Sequence, residues 1–165
     1  MAYYKFYMQR YPIITTDGNG ITTKKVMPIY DLERDFVEMR YKSFTGLEDY
    51  GKPTVYTEKF AETEELSIYI PPVSVLENTE LTLTVLFFGE CRRDTYHQFV
   101  DYVHGSKLIY WDTCRERKVA LYQSDAIKPA NDSLWGSTPY MECPIKFTNI
   151  FGRTFDITED FSNLR

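Results

Sequence analysis

The sequence predicts a mainly β fold, a β-sandwich or barrel that carries one α-helix, over residues 93–104, on its side. Three observations lead to this prediction. Most of the 165 residues alternate with period two, which is the spacing of half-buried strands. One stretch has a well-supported helical spacing instead. No repeat, low-complexity tract or linker divides the chain, so we expect one domain over residues 1–165.

The N-terminal elements are predicted to be strands. Residues 3–10 alternate between two faces, and residues 13–26 have the pattern of a hairpin. Its threonine-rich arms flank four residues that tolerate the positive φ angles of tight turns, namely Asp17, Gly18, Asn19 and Gly20. A calcium loop is excluded here, because its twelfth position, which should be Glu, is Pro28. The four residues are therefore expected to form an exposed hairpin tip.

The middle of the chain is less uniform. Residues 31–41 could form a short helix with Leu32, Phe36 and Met39 on one side, or a strand rich in charge. Residues 54–60 and 65–70 read as strands. The clearest strand covers residues 79–89, in which four side chains point one way, namely Leu81, Leu83, Val85 and Phe87. Both faces of this strand end apolar, so it is expected to run into the core.

The predicted helix has two distinct faces. Tyr96, Phe99, Val100 and Val103 follow the spacing i, i+3, i+4 and i+7, and Gly105 stands where a helix commonly ends. His97, Asp101 and His104 form a second stripe, which raises the question of a metal site. The two histidines are two turns apart, about 10 Å along the axis, and so cannot share one ion. We therefore expect a solvated face and no metal.

The C-terminal third is predicted to be strands again. Residues 106–112 and 117–129 are expected to form a hairpin around a short polar turn. Residues 128–139 are rich in turn-forming residues and predict an exposed loop that carries Trp135. A last strand over residues 140–151 contains Pro144, which indicates an edge strand or a local irregularity.

Composition excludes several classes of function. A net charge of −5 argues against nucleic acid as the main partner, because phosphate contacts require a basic surface. Three cysteines without a CxxC spacing suit a reducing compartment. No secretory signal and no span long enough for a bilayer are recognisable, so we expect synthesis and folding in a cytoplasm.

No motif commits the chain to catalysis or to a cofactor. Residues 46–52 fit the phosphate-loop pattern G-x-x-x-x-G-K, but the next residue is Pro53, which lacks the magnesium-binding hydroxyl. There is no G-x-S-x-G motif. The spacing of acidic pairs such as Glu62 and Glu64 does not separate a glycosidase pair from a solvated strand edge, and with 24 acidic residues in the chain we favour the strand edge. We therefore predict no catalytic residues, no cofactor and no enzyme activity.

The order of elements over residues 81–150 resembles the core of the tail-tube and distal tail proteins of long-tailed bacteriophages, and of related tube proteins of injection machines. The matching features are a strand, the helix, a hairpin beginning Tyr110-Trp111-Asp112-Thr113, and a final strand. The resemblance implies a virion structural protein of a phage or prophage, which forms rings with copies of itself and with other tail proteins. It implies assembly in the bacterial host cytoplasm and a final place in the virion tail, with no membrane, no small-molecule substrate and no tight binding of nucleic acid.

The sequence also leaves one alternative open. A carbohydrate-binding β-sandwich could use exposed tryptophan and tyrosine side chains to stack on sugars. On either interpretation the protruding segments form the candidate assembly or binding surface, and its residues are Asp17, Gly18, Asn19, Gly20, Trp135 and Tyr140.

Overall fold

A computed structural model of the protein describes residues 6–53, 55–58, 67–69, 76–130 and 140–158. These residues form one α-helix, α1 (Arg92–Val103), and twelve strands. The strands before the helix are β1 (Phe6–Arg10), β2 (Ile13–Thr16), β3 (Thr22–Lys25), β4 (Ile29–Asp31), β5 (Met39–Thr45), β6 (Tyr56–Glu58), β7 (Ser67–Tyr69) and β8 (Thr79–Phe88). The strands after it are β9 (Lys107–Asp112), β10 (Arg117–Gln123), β11 (Tyr140–Asn149) and β12 (Phe155–Asp156).

Eight of the strands form one antiparallel sheet in the order β4-β1-β9-β10-β11-β8-β5, with β12 paired to β10. The sheet curls around its core, because β5 at one end contacts strands near the other end. The Phe6 ring of β1 stacks on the Tyr41 ring of β5, with 3.9 Å between the centroids. The rings of Phe44 in β5 and Tyr110 in β9 have their centroids 4.6 Å apart. The predicted β-sandwich or barrel with one flanking helix is confirmed.

The period-two pattern of β8 sets which of its side chains enter the core. Leu81, Leu83, Val85 and Phe87 are fully buried, as predicted, while the threonines between them are half-buried. β8 pairs with β11 along its whole length, from Thr79 opposite Asn149 to Phe88 opposite Tyr140. The helix packs against β8 of this pair, where the ring of Phe99 contacts that of Phe87.

The helix docks through the face that the sequence predicts. Phe99 and Val103 are fully buried, whereas His97, Asp101 and His104 are exposed. Gly105 follows with φ of 70°, a left-handed conformation that glycine adopts without steric cost.

An arginine of β1 holds the C-terminal end of the helix in place. The guanidinium of Arg10 donates hydrogen bonds to the carbonyls of Asp101 and Tyr102 in the last turn, at distances of 2.8 to 3.1 Å. A cation there also complements the negative end of the helix dipole.

Residues 31–41 form neither of the two predicted elements. β4 ends at Asp31, consecutive turns follow, and β5 begins at Met39. The carbonyl of Asp31 accepts hydrogen bonds from Arg34 and Asp35, and Glu38 closes the turns with a positive φ of 62°. Leu32, Phe36 and Met39 are all buried, so their spacing reflects turns packed on the core.

The sequence left two alternatives for the strand around Pro144, an edge strand or a local irregularity, and β11 is not an edge strand, because it lies between β10 and β8. The local irregularity is confirmed, because the pairing with β10 stops before Pro144. β10 pairs only with residues 147–149 of β11, and the N–H and carbonyl of Glu142 bond to Ala130 on the same side. Pro144, two residues further on, therefore directs its ring nitrogen to the side from which β10 has already departed. A central strand tolerates this proline because the N–H it lacks would have no ladder partner.

The phosphate-loop pattern has a structural explanation. The Gly51 N–H donates to the carbonyl of Gly152 at 2.7 Å, and the N–H of Glu77 donates to the backbone carbonyl of Lys52 at 2.8 Å. A Cβ atom at position 51 would lie 1.7 Å from the carbonyl oxygen of Glu77. The glycine therefore serves a close approach of three backbone segments, which we name the 51–77–152 junction.

Candidate assembly surface

The predicted hairpin of residues 13–26 is confirmed as a protruding arm. Strands β2 and β3 pair only with each other among the described strands, and every residue from 13 to 25 is exposed. We call residues 13–25 the arm. An isolated two-stranded hairpin is marginally stable in water, so a second surface would add to its stability.

The tip of the arm is built by Asp17. Its carboxylate oxygen Oδ1 accepts hydrogen bonds from the backbone N–H groups of Asn19 and Ile21, both at 2.9 Å. Its backbone N–H donates to the carbonyl of Ile21, and its carbonyl accepts from Gly20, which has φ of 79°. The structure thus brings the four predicted tip residues together, with Asp17 as organiser and Gly20 as the left-handed residue.

Apolar side chains along the arm were not singled out by the sequence pattern. Ile21 is exposed to 61%, and Ile13 and Ile14 are exposed as well. Val26, which directly follows the arm, is exposed to 69%. These exposed apolar side chains belong to one protruding segment of the chain. The signal in the sequence was the run Ile13-Ile14 beside an exposed turn, where no core face could receive both side chains.

A second exposed hairpin carries aromatic side chains. β6 and β7 pair with each other, and the rings of Tyr56 and Tyr69 face each other at 6.1 Å between centroids. Both tyrosines are exposed, as is Tyr50. This surface is the feature closest to the sugar-stacking alternative, although the two rings are tilted by 35° and do not form one flat platform.

Of the other two residues predicted for the surface, the structure describes only Tyr140. Trp135 lies outside the described residues. Tyr140 begins β11 opposite Phe88 and is 37% exposed.

Two backbone groups at the free edges of the main sheet are already bonded. The outward N–H of Asp31 in β4 donates to the Asp35 carboxylate at 2.8 Å, and that of Tyr41 in β5 donates to Glu33 at 3.1 Å. Occupied edge groups disfavour the addition of a further strand at these points.

The hairpin after the helix depends on Asp112, which is only 1% exposed. Its oxygen Oδ1 accepts hydrogen bonds from the backbone N–H groups of Cys114 and Arg115, at 2.9 and 3.1 Å. Its Oδ2 accepts from the Arg115 guanidinium at 2.6 Å. Asp112 therefore fixes the 113–116 turn, which explains an aspartate at this point of the Tyr110–Thr113 motif without a binding role.

We expect the substitution Asp112→Ala to lower the free energy of unfolding by about 2 kcal/mol, because two backbone donors and a guanidinium lose their acceptor. Asp112→Asn should lower the free energy of unfolding by less, since the amide oxygen of asparagine can still accept the two hydrogen bonds from the backbone. Urea denaturation measures both changes. Asp125→Ala is the control, because this exposed aspartate also accepts a backbone hydrogen bond. Equal losses for Asp112→Ala and the control would contradict the role of Asp112.

Metal-ligating side chains do not converge on one point within the described part of the chain. No group of three or more His, Cys, Asp or Glu side chains is placed to hold a metal ion there. Burial raises the pKa of the Cys143 thiol to about 12, which keeps it protonated and unreactive. No helix over the described ranges has the length and apolarity to cross a bilayer.

Comparison with known proteins gives a likeness of fold. No protein-family model matches the sequence, and no curated protein matches it significantly. Among solved structures the chain is similar to the Dit protein of phage SPP1, a paradigm of the hub adsorption apparatus in phages that infect Gram-positive bacteria. The TM-score is 0.52 at 13% identity, and the match covers 92% of this chain and 52% of the Dit chain.

The chain thus spans about half the length of the Dit protein that it matches. At this identity the similarity shows a shared fold. The resemblance to distal tail proteins is therefore confirmed at the level of the fold.

Proposed function

We propose that this protein is a structural subunit of a phage or prophage tail, of the distal tail or tube type, that acts by self-assembly without chemistry. The observation that carries the proposal is the match of nearly the whole chain, 92%, to a phage tail hub protein at a TM-score of 0.52. On this proposal its partners are copies of itself and other tail proteins, and its final place is the virion tail. We further propose that residues 1–165 act as one domain.

The arm supplies the proposed contact. A segment that protrudes from one subunit and meets a different surface of the next makes a heterologous contact, and such contacts close into rings when the rotation allows it. Exposed Ile14 and Ile21 would lose water contact on docking, which favours association. The net charge of −5 suits a conduit that must not bind DNA tightly.

The proposal predicts that the protein associates at high concentration through the arm. The double variant Ile14→Lys and Ile21→Lys should weaken association about tenfold or more, since each buried isoleucine contributes about 1.5–3 kcal/mol. Sedimentation velocity over a concentration series measures the effect, and electron microscopy of negatively stained samples tests for rings. The matched control is Ser124→Lys and Ala126→Lys, which adds the same charge at two exposed positions outside the arm.

Two results would contradict the proposal. One is a protein that stays monomeric at the highest attainable concentration. The other is an equal weakening of association by the arm variant and by its control. Saturable binding of a glycan by such a monomer, lost when Tyr56 and Tyr69 become alanine, would favour the carbohydrate-binding alternative.

A further inference from the structure

The asparagines of this chain differ in the residue that follows each of them. They are Asn19, Asn78, Asn131, Asn149 and Asn163. Glycine follows Asn19, whereas threonine, aspartate, isoleucine and leucine follow the other four. Glycine has no side chain to shield its backbone nitrogen, so the side chain of the preceding residue can approach that nitrogen closely. Asn19 is therefore set apart by its neighbour in the sequence.

The structure also leaves the side chain of Asn19 able to rotate. Asn19 is exposed in the turn between β2 and β3, and its side-chain amide has no hydrogen-bond partner among the described residues. Asn149 is the opposite case, because it is fully buried. Its Nδ2 donates to the carbonyl of Arg153 and its Oδ1 accepts from the N–H of Phe151, both at 3.2 Å. Asn78 is exposed, but a β-branched threonine of β8 follows it.

The backbone around Gly20 leaves room for a ring to close. Gly20 has φ of 79°, and a Cβ atom placed on it would meet nothing within 4 Å. One contact opposes an attack by its nitrogen, because the Gly20 N–H donates a hydrogen bond to the carbonyl of Asp17 at 3.1 Å. The Asp17 carboxylate also holds the N–H groups of Asn19 and Ile21, both at 2.9 Å. The turn must therefore open before the nitrogen can react.

From these observations we propose that Asn19 is a site of spontaneous deamidation, and that the turn built by Asp17 sets the rate of the reaction. The inference goes beyond the proposed function, because it concerns the free subunit and requires no partner protein. Local opening of an exposed turn costs far less free energy than global unfolding, so the reactive conformation is reached while the sheet stays folded.

The reaction uses only the chain, hydroxide and water. Hydroxide takes the proton of the Gly20 amide, and the Gly20 nitrogen attacks the Cγ atom of Asn19. A bond between this nitrogen and Cγ forms, the bond from Cγ to the side-chain nitrogen breaks, and ammonia leaves with a proton from water, which regenerates hydroxide. Water then opens the succinimide ring at either carbonyl and gives aspartate or isoaspartate. In total, one water is consumed and one ammonia is released.

The isoaspartate product would change the tip of the arm. It adds one carbon atom to the backbone between residue 19 and Gly20. Oδ1 of Asp17 bridges the N–H groups of residues 19 and 21, so the added atom lies within the span of this bridge. Both products also place a new carboxylate beside that of Asp17. Deamidation would therefore weaken the turn that the four tip residues form.

Peptide mass mapping of the free monomer tests the modification. Trypsin releases residues 11–24 as one peptide, in which Asn19 carries the only side-chain amide. In mildly alkaline buffer, the share of this peptide with the added mass of an amide-to-acid conversion should rise several-fold faster than the same share for the Asn78 peptide. The rise should nearly stop in mildly acidic buffer, where hydroxide is scarce. Conversion of Asn19 no faster than that of Asn78 would overturn the proposal.

The matched control is Asn19→Gln, which keeps a side-chain amide at this position. Its longer side chain would have to close a larger ring, so its peptide should gain no mass over the same period. Reversed-phase chromatography should resolve two products from the unsubstituted protein, aspartate and isoaspartate. A single aspartate product, or an equal gain of mass in Asn19→Gln, would exclude the succinimide route.

A second comparison tests the role of the turn. Asp17→Ala removes the acceptor of two backbone N–H groups and should speed the loss of Asn19 several-fold. A synthetic peptide of residues 11–24, in which no sheet holds the turn, should react fastest. Asp125→Ala removes an exposed aspartate outside the arm and should leave the rate unchanged. Equal rates in the protein, in Asp17→Ala and in the peptide would overturn the role of the turn. All these readouts are made on monomer, so their failure leaves the test of assembly independent.

Discussion

Replacing Phe99 by alanine should lower the free energy of unfolding by about 3–5 kcal/mol, as expected for a fully buried phenylalanine. The side chain has no exposed surface and joins the helix to two other parts of the fold. Its ring packs edge to face against Phe36 of the 32–38 turns, with 5.2 Å between the ring centroids. The centroid of the Phe87 ring in β8 lies 6.2 Å away. Truncation would leave a cavity among these aromatic rings.

Urea or thermal unfolding of Phe99→Ala measures this loss. Phe99→Leu should recover most of it, because leucine refills much of the volume. Gln98→Ala, at the exposed neighbouring position of the same helix, should change stability by less than about 0.5 kcal/mol. If Phe99→Ala also lost less than about 1 kcal/mol, the helix would not be docked on the sheet as described.

Replacing Gly51 by alanine should cost about 3 kcal/mol of stability, a large effect for a single added methyl group. The new Cβ would lie 1.7 Å from the carbonyl oxygen of Glu77 and 2.8 Å from its carbonyl carbon. These are backbone atoms, so no side-chain rotation relieves the overlap. The 51–77–152 junction would have to separate, which would break the bond from the Gly51 N–H to Gly152.

The matched control for Gly51→Ala is Gly18→Ala at the arm tip, where an added Cβ meets nothing within 4 Å. Chemical denaturation of both variants gives the comparison. The control should leave the free energy of unfolding nearly unchanged, and Gly51→Ala should have a clearly lower free energy of unfolding than the control. If the two variants were equally stable, the close approach of the three backbone segments would be wrong, and the phosphate-loop interpretation of residues 46–52 would need renewed testing with nucleotide.

The sequence by itself determined the elements whose pattern is local. Alternation fixed β8 and its inward face, because a strand directs every second side chain to one side. The spacing of Phe99 and Val103, with Gly105 behind them, fixed the helix and its buried face. The arm tip followed from Asp17 and Gly20, whose turn chemistry involves only near neighbours. The four predicted tip residues were found on that basis, without knowledge of the rest of the fold.

Only the tertiary structure decided the features that depend on distant segments. Leu32, Phe36 and Met39 had the spacing of a helix. Instead, Leu32 and Phe36 are buried in turns and Met39 begins β5, because these residues pack on the core that β5 and α1 provide. Pro144 indicated either an edge strand or a local irregularity, and only the structure decides for the irregularity, because the sequence does not tell that β10 leaves β11 at residue 147. Gly51 fits the pattern of a phosphate loop that Pro53 already argues against, and only the placement of Glu77 and Gly152 against it explains why a glycine stands there. In each case the deciding contact joins residues that the sequence separates, and local periodicity carries no information about such contacts.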